Sequence, residues 1–123
     1  MTQSTKVLVV DDHELSRDLF CKVLTCAGYA VRVASDGLKA IRHLEKTRFD
    51  VVLTDVAMPQ MDGLELLTKI RDRWPESRVV VHSSALTWRE ARLARVEGAY
   101  ACLSKSSNTA QLLKTIAAAS LAA

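Results

Sequence analysis

Residues 51–63, VVLTDVAMPQMDG, place a carboxylate at the end of an apolar run. The run at 51–53 is continuous, which is typical of a strand that is buried on both faces of a sheet. It ends at Asp55, and Pro59 and Gly63 then punctuate the loop that follows. An acid at the point where a buried strand emerges indicates a polar site rather than core packing.

The rest of the chain repeats this alternation of short apolar runs and longer amphipathic stretches. The short runs predict five strands, at residues 6–10, 31–34, 50–54, 78–83 and 100–103. Strands that alternate with helices imply parallel crossovers, so we expect a doubly wound α/β domain with a five-stranded parallel sheet.

Five helices are predicted from the spacing of apolar residues and from capping residues. The apolar positions are Leu15, Leu19, Val23 and Leu24 in the first helix, Leu38, Ile41 and Leu44 in the second, and Leu64, Leu67 and Ile70 in the third. Their predicted boundaries are Gly28 after the first helix, Ser35 or Asp36 before the second, Trp74 at the end of the third, Thr87 to about Glu97 for the fourth, and Thr109 to about Ala119 for the fifth.

The composition limits the classes of protein to which the chain can belong. Its 123 residues are 49% hydrophobic and 25% charged, so we expect one globular domain over residues 1–123. No apolar run approaches the roughly 18 residues of a spanning helix, and the start of the chain is unlike a signal peptide. We therefore expect a cytoplasmic protein without a membrane partner.

Charge and cysteine content argue against two further kinds of site. The formal net charge of +3 is mild, so we expect no direct binding of nucleic acid by this domain. Cys21, Cys26 and Cys102 lack the spacing of metal ligands, and reduced thiols are the simplest interpretation.

The carboxyl ends of the predicted strands collect the candidate functional groups. These are Asp11 and Asp12 after the first strand, Asp55 after the third, Ser83 and Ser84 after the fourth, and Lys105 after the fifth. Ligands of doubly wound folds bind at this edge of the sheet. One such residue is usually a turn former or a cap, but their coincidence in four loops favours a shared site.

The chemistry of this set suits phosphoryl transfer. Carboxylates in one pocket repel each other unless a cation compensates, and Mg²⁺ prefers oxygen ligands. Zinc is disfavoured because His13 is the only His or Cys in these loops. A lysine and a serine hydroxyl would stabilise an anionic oxygen, and an aspartate can accept a phosphoryl group covalently.

Four segments carry a family resemblance: VLVVDDH at 7–13, VVLTDVAMPQMDGLELL at 51–67, VVVHSS at 79–84 and GAYACLSK at 98–105. Together they resemble the receiver domain of two-component response regulators, which is CheY-like, with NarL-like features in the third and fourth strands. The resemblance covers essentially the whole chain. It implies a flavodoxin-like sheet in the order 2-1-3-4-5 and a phosphorylatable switch rather than a metabolic enzyme.

The resemblance also implies a role for each acid. Asp55 would be the phosphoacceptor, while Asp11, Asp12 and the backbone carbonyl of Ala57 would bind Mg²⁺ together with it. A histidine kinase or a phosphotransfer protein would supply the phosphoryl group.

Two residues on the neighbouring strands would respond to that group. Lys105 would be its counter-ion, and Ser83 would be the switch hydroxyl. Counting back from Lys105 places Ser83 at the family's usual spacing and leaves Ser84 in the following small position. The face formed by helix four, strand five and helix five would then bind a downstream protein, and a homodimer is left open.

The chain departs from the family's pattern at two positions. Ser106 stands where a proline usually follows the lysine, and we expect a trans bond there. Cys102 stands where the switch aromatic normally lies, with Tyr100 nearer the start of the same strand. We therefore expect a readout other than the rotation of an aromatic ring. Ala57 and Ala85, at positions that tune phosphoryl lifetime, offer no polar side chain.

Other residues have a plainer interpretation beside a functional one. Arg89, Arg92 and Arg95 recur every third residue and are interpreted as a solvated helix face, with a partner surface as the alternative. His82 is interpreted as a packed histidine. His13 is interpreted as a surface residue at a helix start, with a place at the border of the metal site as the alternative.

Two further functions are kept as alternatives. A haloacid dehalogenase-like phosphatase also uses an aspartate and Mg²⁺, but DDHE at 11–14 lacks that family's second spaced acid. The chain could also be the receiver part of a NarL-like DNA-binding regulator, although no helix-turn-helix follows within these residues.

Overall fold

The structure is a computed structural model that describes residues 4–84, 87–104 and 107–121. Within them, strands and helices alternate as β1 Lys6–Val10, α1 Glu14–Cys26, β2 Ala30–Ala34, α2 Gly37–Lys46, β3 Val51–Asp55, α3 Gly63–Arg73, β4 Arg78–Ser83, α4 Trp88–Val96, β5 Ala101–Ser104 and α5 Thr109–Leu121. The predicted number, type and order of these elements are confirmed.

The sheet has the predicted order, β2-β1-β3-β4-β5, and its paired strands are parallel. The connection reverses direction between β1 and β3, which opens a crevice at the carboxyl ends of these strands. The register pairs Val10 with Thr54 and Asp55 with His82. The carboxyl ends of β1, β3 and β4 therefore lie side by side.

Alternate strand residues fill two hydrophobic layers, one on each face of the sheet. Val7 and Val9 pack with Leu24 of α1 and Ile116 of α5, and all four are fully buried. Leu8 faces the other layer, where the apolar sides of α2, α3 and α4 pack. Burial of each large aliphatic side chain stabilises the fold by about 1.5–3 kcal/mol. The sheet is thus covered on both faces, as its continuous apolar strands predict.

Capping residues begin the helices largely where the sequence predicts them. Asp36, rather than Ser35, caps α2 by accepting a hydrogen bond from the backbone N–H of Lys39 at 2.8 Å. Thr87 forms a capping box with Glu90 at the start of α4. Gly28 follows α1 with a φ of 99°, a left-handed conformation that favours glycine.

Several predicted boundaries are wrong by one or two residues. β3 is Val51–Asp55 rather than 50–54, so Asp55 is its last residue, and β5 is Ala101–Ser104 rather than 100–103. Tyr100 precedes β5, although its backbone N–H already donates to the carbonyl of Val79 at 2.7 Å. Such shifts reflect where a strand's hydrogen-bond ladder begins and ends. α5 continues to Leu121, beyond the predicted end, because alanine is a strong helix former.

Helix α1 differs from its predicted apolar face. Leu15 is 86% exposed and Leu19 59% exposed, whereas Leu24 is buried. The predicted positions Val23 and Leu24 do pack against the sheet, and Phe20 packs there in place of Leu15 and Leu19. Four-residue spacing places side chains on one face of a helix, but it does not tell which face turns toward the core. No helix among the described residues is long and apolar enough to cross a membrane.

Candidate functional site

Three carboxylates and one imidazole meet at the carboxyl edge of the sheet. Asp11, Asp12, His13 and Asp55 each offer one ligand atom, and these atoms lie within 4.8 Å of one another. The side chain of Asp11 is fully buried, that of Asp55 is 4% exposed, and that of Asp12 is 28% exposed. The three acids that the sequence singled out are therefore brought together.

His13 is a surface residue at the start of α1, as the sequence predicts, and it also belongs to this cluster. Its Nδ1 lies 3.2 Å from Asp12 Oδ1, 3.5 Å from Asp11 Oδ1 and 3.9 Å from Asp55 Oδ2. The side chain is 67% exposed, so it borders the acids from the solvent side. The alternative, a residue at the border of the metal site, matches this position.

The backbone around Asp11 holds its carboxylate in place. Asp11 Oδ1 accepts a hydrogen bond from the backbone N–H of His13 at 2.9 Å. The backbone N–H of Asp11 donates to the carbonyl of Ala34, and Arg17 of α1 donates to the carbonyl of Asp11 at 3.0 Å. These contacts join β1, β2 and α1 at the site, so the carboxylate is positioned by three elements of the fold.

Asp55 is positioned by tight backbone packing at the end of β3. The hydroxyl of Thr54 donates to the carbonyl of Asp55 at 3.0 Å. The backbone N–H of Gly63 donates to the carbonyl of Val56 at 2.7 Å. A Cβ atom on Gly63 would lie only 2.0 Å from the carbonyl oxygen of Asp55, so only glycine allows this approach. Sequence reasoning assigned Gly63 to a turn and missed this contact.

The loop between β3 and α3 is anchored at both ends of its turn. Met58 and Met61 are 8% and 7% exposed and pack into the core. Between them, Gln60 has a φ of 68°, which is unusual for a residue with a side chain. Asp62 caps α3 by accepting from the backbone N–H of Glu65 at 2.8 Å. The loop that carries Ala57 is thus fixed from the core side, and Ala57 itself is exposed.

Strand β4 brings a hydroxyl and a buried histidine to the same edge. Ser83 is the last residue of β4 and is 6% exposed, whereas Ser84 is exposed in the turn that follows. His82 is 1% exposed, and its ring meets the ring of Phe20 edge to face at 4.7 Å between centroids. Its Nε2 lies 3.9 Å from Asp11 Oδ2. The interpretation of His82 as a packed histidine is confirmed.

The donor set fits a divalent cation of the magnesium type. Three carboxylates from two adjacent strand ends supply oxygen atoms, which hard cations prefer. The burial of Asp11 and Asp55 makes their mutual repulsion costly unless a positive charge lies close by. Whether the carbonyl of Ala57 joins these ligands stays a prediction.

Cys102 connects β5 to α4. Its Sγ donates to the carbonyl oxygen of Ala91 at 3.7 Å, and its side chain packs against the core layer that contains Ala94. Burial raises the pKa of the Cys102 thiol, and the positive charge of Arg95 opposes part of that shift. Tyr100 is 37% exposed and does not take the place of a buried aromatic at this position. The three cysteines of the chain are free thiols.

Three residues to which the sequence assigns a role lie outside the described residues: Ala85, Lys105 and Ser106. The counter-ion role of Lys105, the trans bond before Ser106 and the nonpolar position at Ala85 stay predictions.

Comparison with known proteins agrees with this geometry. A profile described as the response regulator receiver domain matches residues 7–117. The chain is 39% identical over 112 residues to the sensor histidine kinase RcsC of Salmonella typhi, which covers 90% of this chain and 12% of that protein. It is 35% identical over 95 residues to the response regulator MprA of Mycobacterium ulcerans, which covers 77% of this chain and 39% of that protein. The chain thus spans only a small part of these relatives.

Solved structures share the fold over nearly the whole chain. A CheY-like receiver domain from Methanospirillum hungatei superposes with a TM-score of 0.91 at 25% identity, covering 96% of this chain and 94% of that one. The chemotaxis protein CheY4 of Vibrio cholerae superposes with a TM-score of 0.89 at 32% identity, covering 95% and 99%. These matches favour neither the phosphatase alternative nor the DNA-binding one. The prediction of a single domain over residues 1–123 is not tested by them and stays a prediction.

Proposed function

We propose that this chain, which belongs to the family of response regulator receiver domains, accepts a phosphoryl group on Asp55 and changes its partner binding in response. The observation that carries the proposal is the convergence of Asp11, Asp12 and Asp55 at the carboxyl edge of the sheet. Receiver domains of two-component systems pair with histidine kinases. The proposed donor is therefore the phosphohistidine of a kinase or of a phosphotransfer protein, in the cytoplasm and without direct contact to nucleic acid.

In the proposed reaction an oxygen of the Asp55 carboxylate attacks the phosphorus atom. The bond between phosphorus and the donor's imidazole nitrogen breaks, and that nitrogen keeps the electron pair. Mg²⁺ held by Asp11, Asp12 and Asp55 would supply positive charge for the phosphoryl oxygens. Lys105 is proposed as a second positive charge. The chain acts as a phosphoacceptor that assists its own phosphorylation, rather than as an enzyme with turnover on a metabolite.

The proposed switch begins with the charge that phosphorylation adds. A phosphoryl group brings about −1.5 to −2 charges to the end of β3. The hydroxyl of Ser83, at the adjacent end of β4, would donate to a phosphoryl oxygen in that state only. A contact made in one state and absent in the other shifts a two-state equilibrium. The segment between β4 and α4 would carry the change to the face formed by α4, β5 and α5, with Cys102 as the contact to α4.

The phosphodonor is proposed to dock over the start of α1. A phosphohistidine that reaches Asp55 must cover the edge of the sheet from which the carboxylate is accessible. Helix α1 begins at this edge, directly after Asp12 and His13, and there it exposes Leu15 and Leu19. Exposed leucines beside a polar reaction site suit a partner that covers both.

The central test is labelling with a small phosphodonor or with beryllofluoride, with and without Mg²⁺. With the phosphodonor, the wild type should gain one phosphoryl group in Mg²⁺, detected by intact mass, and Asp55→Asn should gain none. Beryllofluoride carries no phosphorus, so it is tested by binding, which should occur with the wild type and not with Asp55→Asn. Asp72→Asn is the matched control because Asp72 is an exposed acid in the last turn of α3, whereas Asp55 lies before the first turn of that helix. Equal labelling of wild type and Asp55→Asn would show that Asp55 is not the phosphoacceptor.

A second experiment separates docking from chemistry. Leu15→Ser should slow transfer from a phosphorylated kinase or phosphotransfer protein while the rate with a small phosphodonor stays unchanged. Leu121→Ser is the control, since Leu121 is 84% exposed at the far end of α5. If Leu15→Ser slows both reactions alike, the site itself has been disturbed and the docking proposal fails.

A further inference from the structure

His13 adds a nitrogen atom to the carboxylate oxygens at the edge of the sheet. Its Nδ1 lies 3.2 Å from Asp12 Oδ1, 3.5 Å from Asp11 Oδ1 and 3.9 Å from Asp55 Oδ2. Metal ligands with bonds of about 2.1 Å stand about 3.0 Å apart when they are adjacent in an octahedron, and about 4.2 Å apart when they are opposite. All three separations lie in this range, so the spacing suits one ion bound by the imidazole and the acids together.

The backbone of His13 is fixed on both sides of its side chain. His13 is the N-cap residue of α1, but its side chain makes no capping hydrogen bond. Its backbone N–H donates to Asp11 Oδ1 at 2.9 Å, and its carbonyl accepts from the backbone N–H of Arg17 at 2.9 Å. The imidazole is therefore held at the solvent side of the acids, where its 67% exposure leaves it accessible to an ion.

The other histidine near the acids does not share this position. His82 Nε2 lies 3.9 Å from Asp11 Oδ2, the other oxygen of that carboxylate, and the side chain of His82 is 2% exposed. His82 is not one of the four residues whose ligand atoms lie within 4.8 Å of one another. Among the described residues, the cluster therefore combines one imidazole with three carboxylates.

We propose that His13 is a metal ligand of this chain and that it extends the binding of the cluster from Mg²⁺ to Fe²⁺, Co²⁺ and Ni²⁺. Mg²⁺ is a hard ion that prefers oxygen, so it gains little from the imidazole. Iron-group ions bind imidazole well, and their affinity for a site of nitrogen and oxygen ligands rises from Fe²⁺ to Ni²⁺. This inference rests on the proposed function for the three acids, whereas the part of His13 rests on its own contacts.

The two classes of ion compete because they use the same three carboxylates. An iron-group ion bound through His13 would exclude Mg²⁺ from the acids. The fraction of the chain that holds each ion then follows the free concentration of that ion relative to its dissociation constant. His13 would thus determine which ion is present when a phosphodonor arrives.

The test compares Co²⁺ and Mg²⁺ binding to the wild type and to His13→Ala. Calorimetric titrations are run at about pH 8, because a nitrogen ligand must be unprotonated. His13→Ala should weaken Co²⁺ binding by about tenfold or more, since loss of even an outer-shell partner of a metal ligand costs about 10- to 100-fold. The Mg²⁺ affinity of this variant should stay unchanged or rise, which also shows that the acids remain in place. X-ray absorption of the bound Co²⁺ should show an imidazole in the wild type and none in His13→Ala.

His43→Ala is the matched control, because it removes an imidazole outside the cluster. His43 lies on α2, and its ring meets the ring of Phe49 edge to face at 6.4 Å between centroids. This variant should change the Co²⁺ and Mg²⁺ affinities by less than about twofold, since distant sites act independently.

Four outcomes would overturn the proposal. They are no binding of Co²⁺ by the wild type, equal changes of the Co²⁺ and Mg²⁺ affinities in His13→Ala, equal losses of Co²⁺ binding in His13→Ala and His43→Ala, and bound Co²⁺ without an imidazole. Labelling of the wild type at Asp55 by a small phosphodonor in Mg²⁺ is measured in parallel. Intact labelling with any of these outcomes refutes this inference alone, and failed labelling with a Co²⁺ site that depends on His13 refutes the proposed function alone.

Discussion

Replacing Gly63 by alanine tests the claim that close backbone packing positions Asp55. The added Cβ would lie 2.0 Å from the carbonyl oxygen of Asp55, and 2.9 Å from the carbonyl carbon of Asp55 and from the Cα of Val56. These neighbours are backbone atoms, so no side-chain rotation can relieve the overlap. The end of β3 or the start of α3 must move by about 1 Å before the contact reaches even 3.0 Å.

The expected effect has a stability part and a functional part. Overpacking of this kind costs about 1–3 kcal/mol, and alanine returns less than about 1 kcal/mol through its helix propensity at the first helical position. We therefore expect Gly63→Ala to lower the free energy of unfolding by about 2 kcal/mol in urea denaturation. A displacement of about 1 Å at a reacting group can slow a reaction by about 100-fold. Labelling of Asp55 by a small phosphodonor should slow accordingly.

Gly28→Ala provides the contrast within the same chain. A Cβ on Gly28 meets no atom within 4 Å, but its φ of 99° is strained for alanine. This variant should lose about 1 kcal/mol of stability and keep the labelling rate of the wild type. Wild-type labelling by a stable Gly63→Ala would refute the reasoning, as would an equal loss of labelling in both variants.

Three other predictions concern single residues. His13→Ala should tighten Mg²⁺ binding a few-fold in calorimetric titration, because the imidazole at 3.2 Å from Asp12 Oδ1 no longer competes for the carboxylates; weaker binding would contradict this. Gln60→Gly should be more stable to urea than Gln60→Ala by about 1 kcal/mol, because the φ of 68° strains any residue with a Cβ. Equal stabilities of the two variants would show that this backbone conformation is not strained. Because burial raises the pKa of Cys102 in the folded state, the unfolded chain loses that proton first as the pH rises. Relative to Cys102→Ala, the wild type should therefore have its full stability below about pH 9 and lose some of it above that pH in urea melts, whereas parallel curves would contradict the shift.

The sequence could predict the features that depend on local chemistry. Strands follow from continuous apolar runs, and the caps at Asp36 and Thr87 follow from side chains that bond the first N–H groups of a helix. The meeting of Asp11 and Asp55 is also predictable, since parallel strands end at the same edge of the sheet. The strands, the caps and the meeting of the two acids can thus be predicted from the order of residues in the chain, and no contact between distant segments has to be known.

Features that depend on the packing of distant segments could not be predicted in the same way. The exposure of Leu15 depends on how α1 is rotated against the sheet, and periodicity leaves that rotation open. The approach of Gly63 to Asp55 depends on how α3 enters the loop. A glycine at the first position of a helix, where most residues are better helix formers, was the one available indication. The only indication that His13 would contact the acids was that it directly follows Asp12 in the sequence.

The pairing of Cys102 with α4 bears on how a signal could leave the site. The residues of α4 that face β5 and the core are small, with Ala94 buried and the carbonyl of Ala91 accepting from the Cys102 thiol. A small residue on the strand and alanines on the helix let the two backbones lie close, and an aromatic ring at position 102 would have to displace α4. Motion of a ring between buried and exposed positions is therefore not available here. If phosphorylation at Asp55 reaches α4, we expect it to move the helix as a whole, because few buried contacts hold this helix.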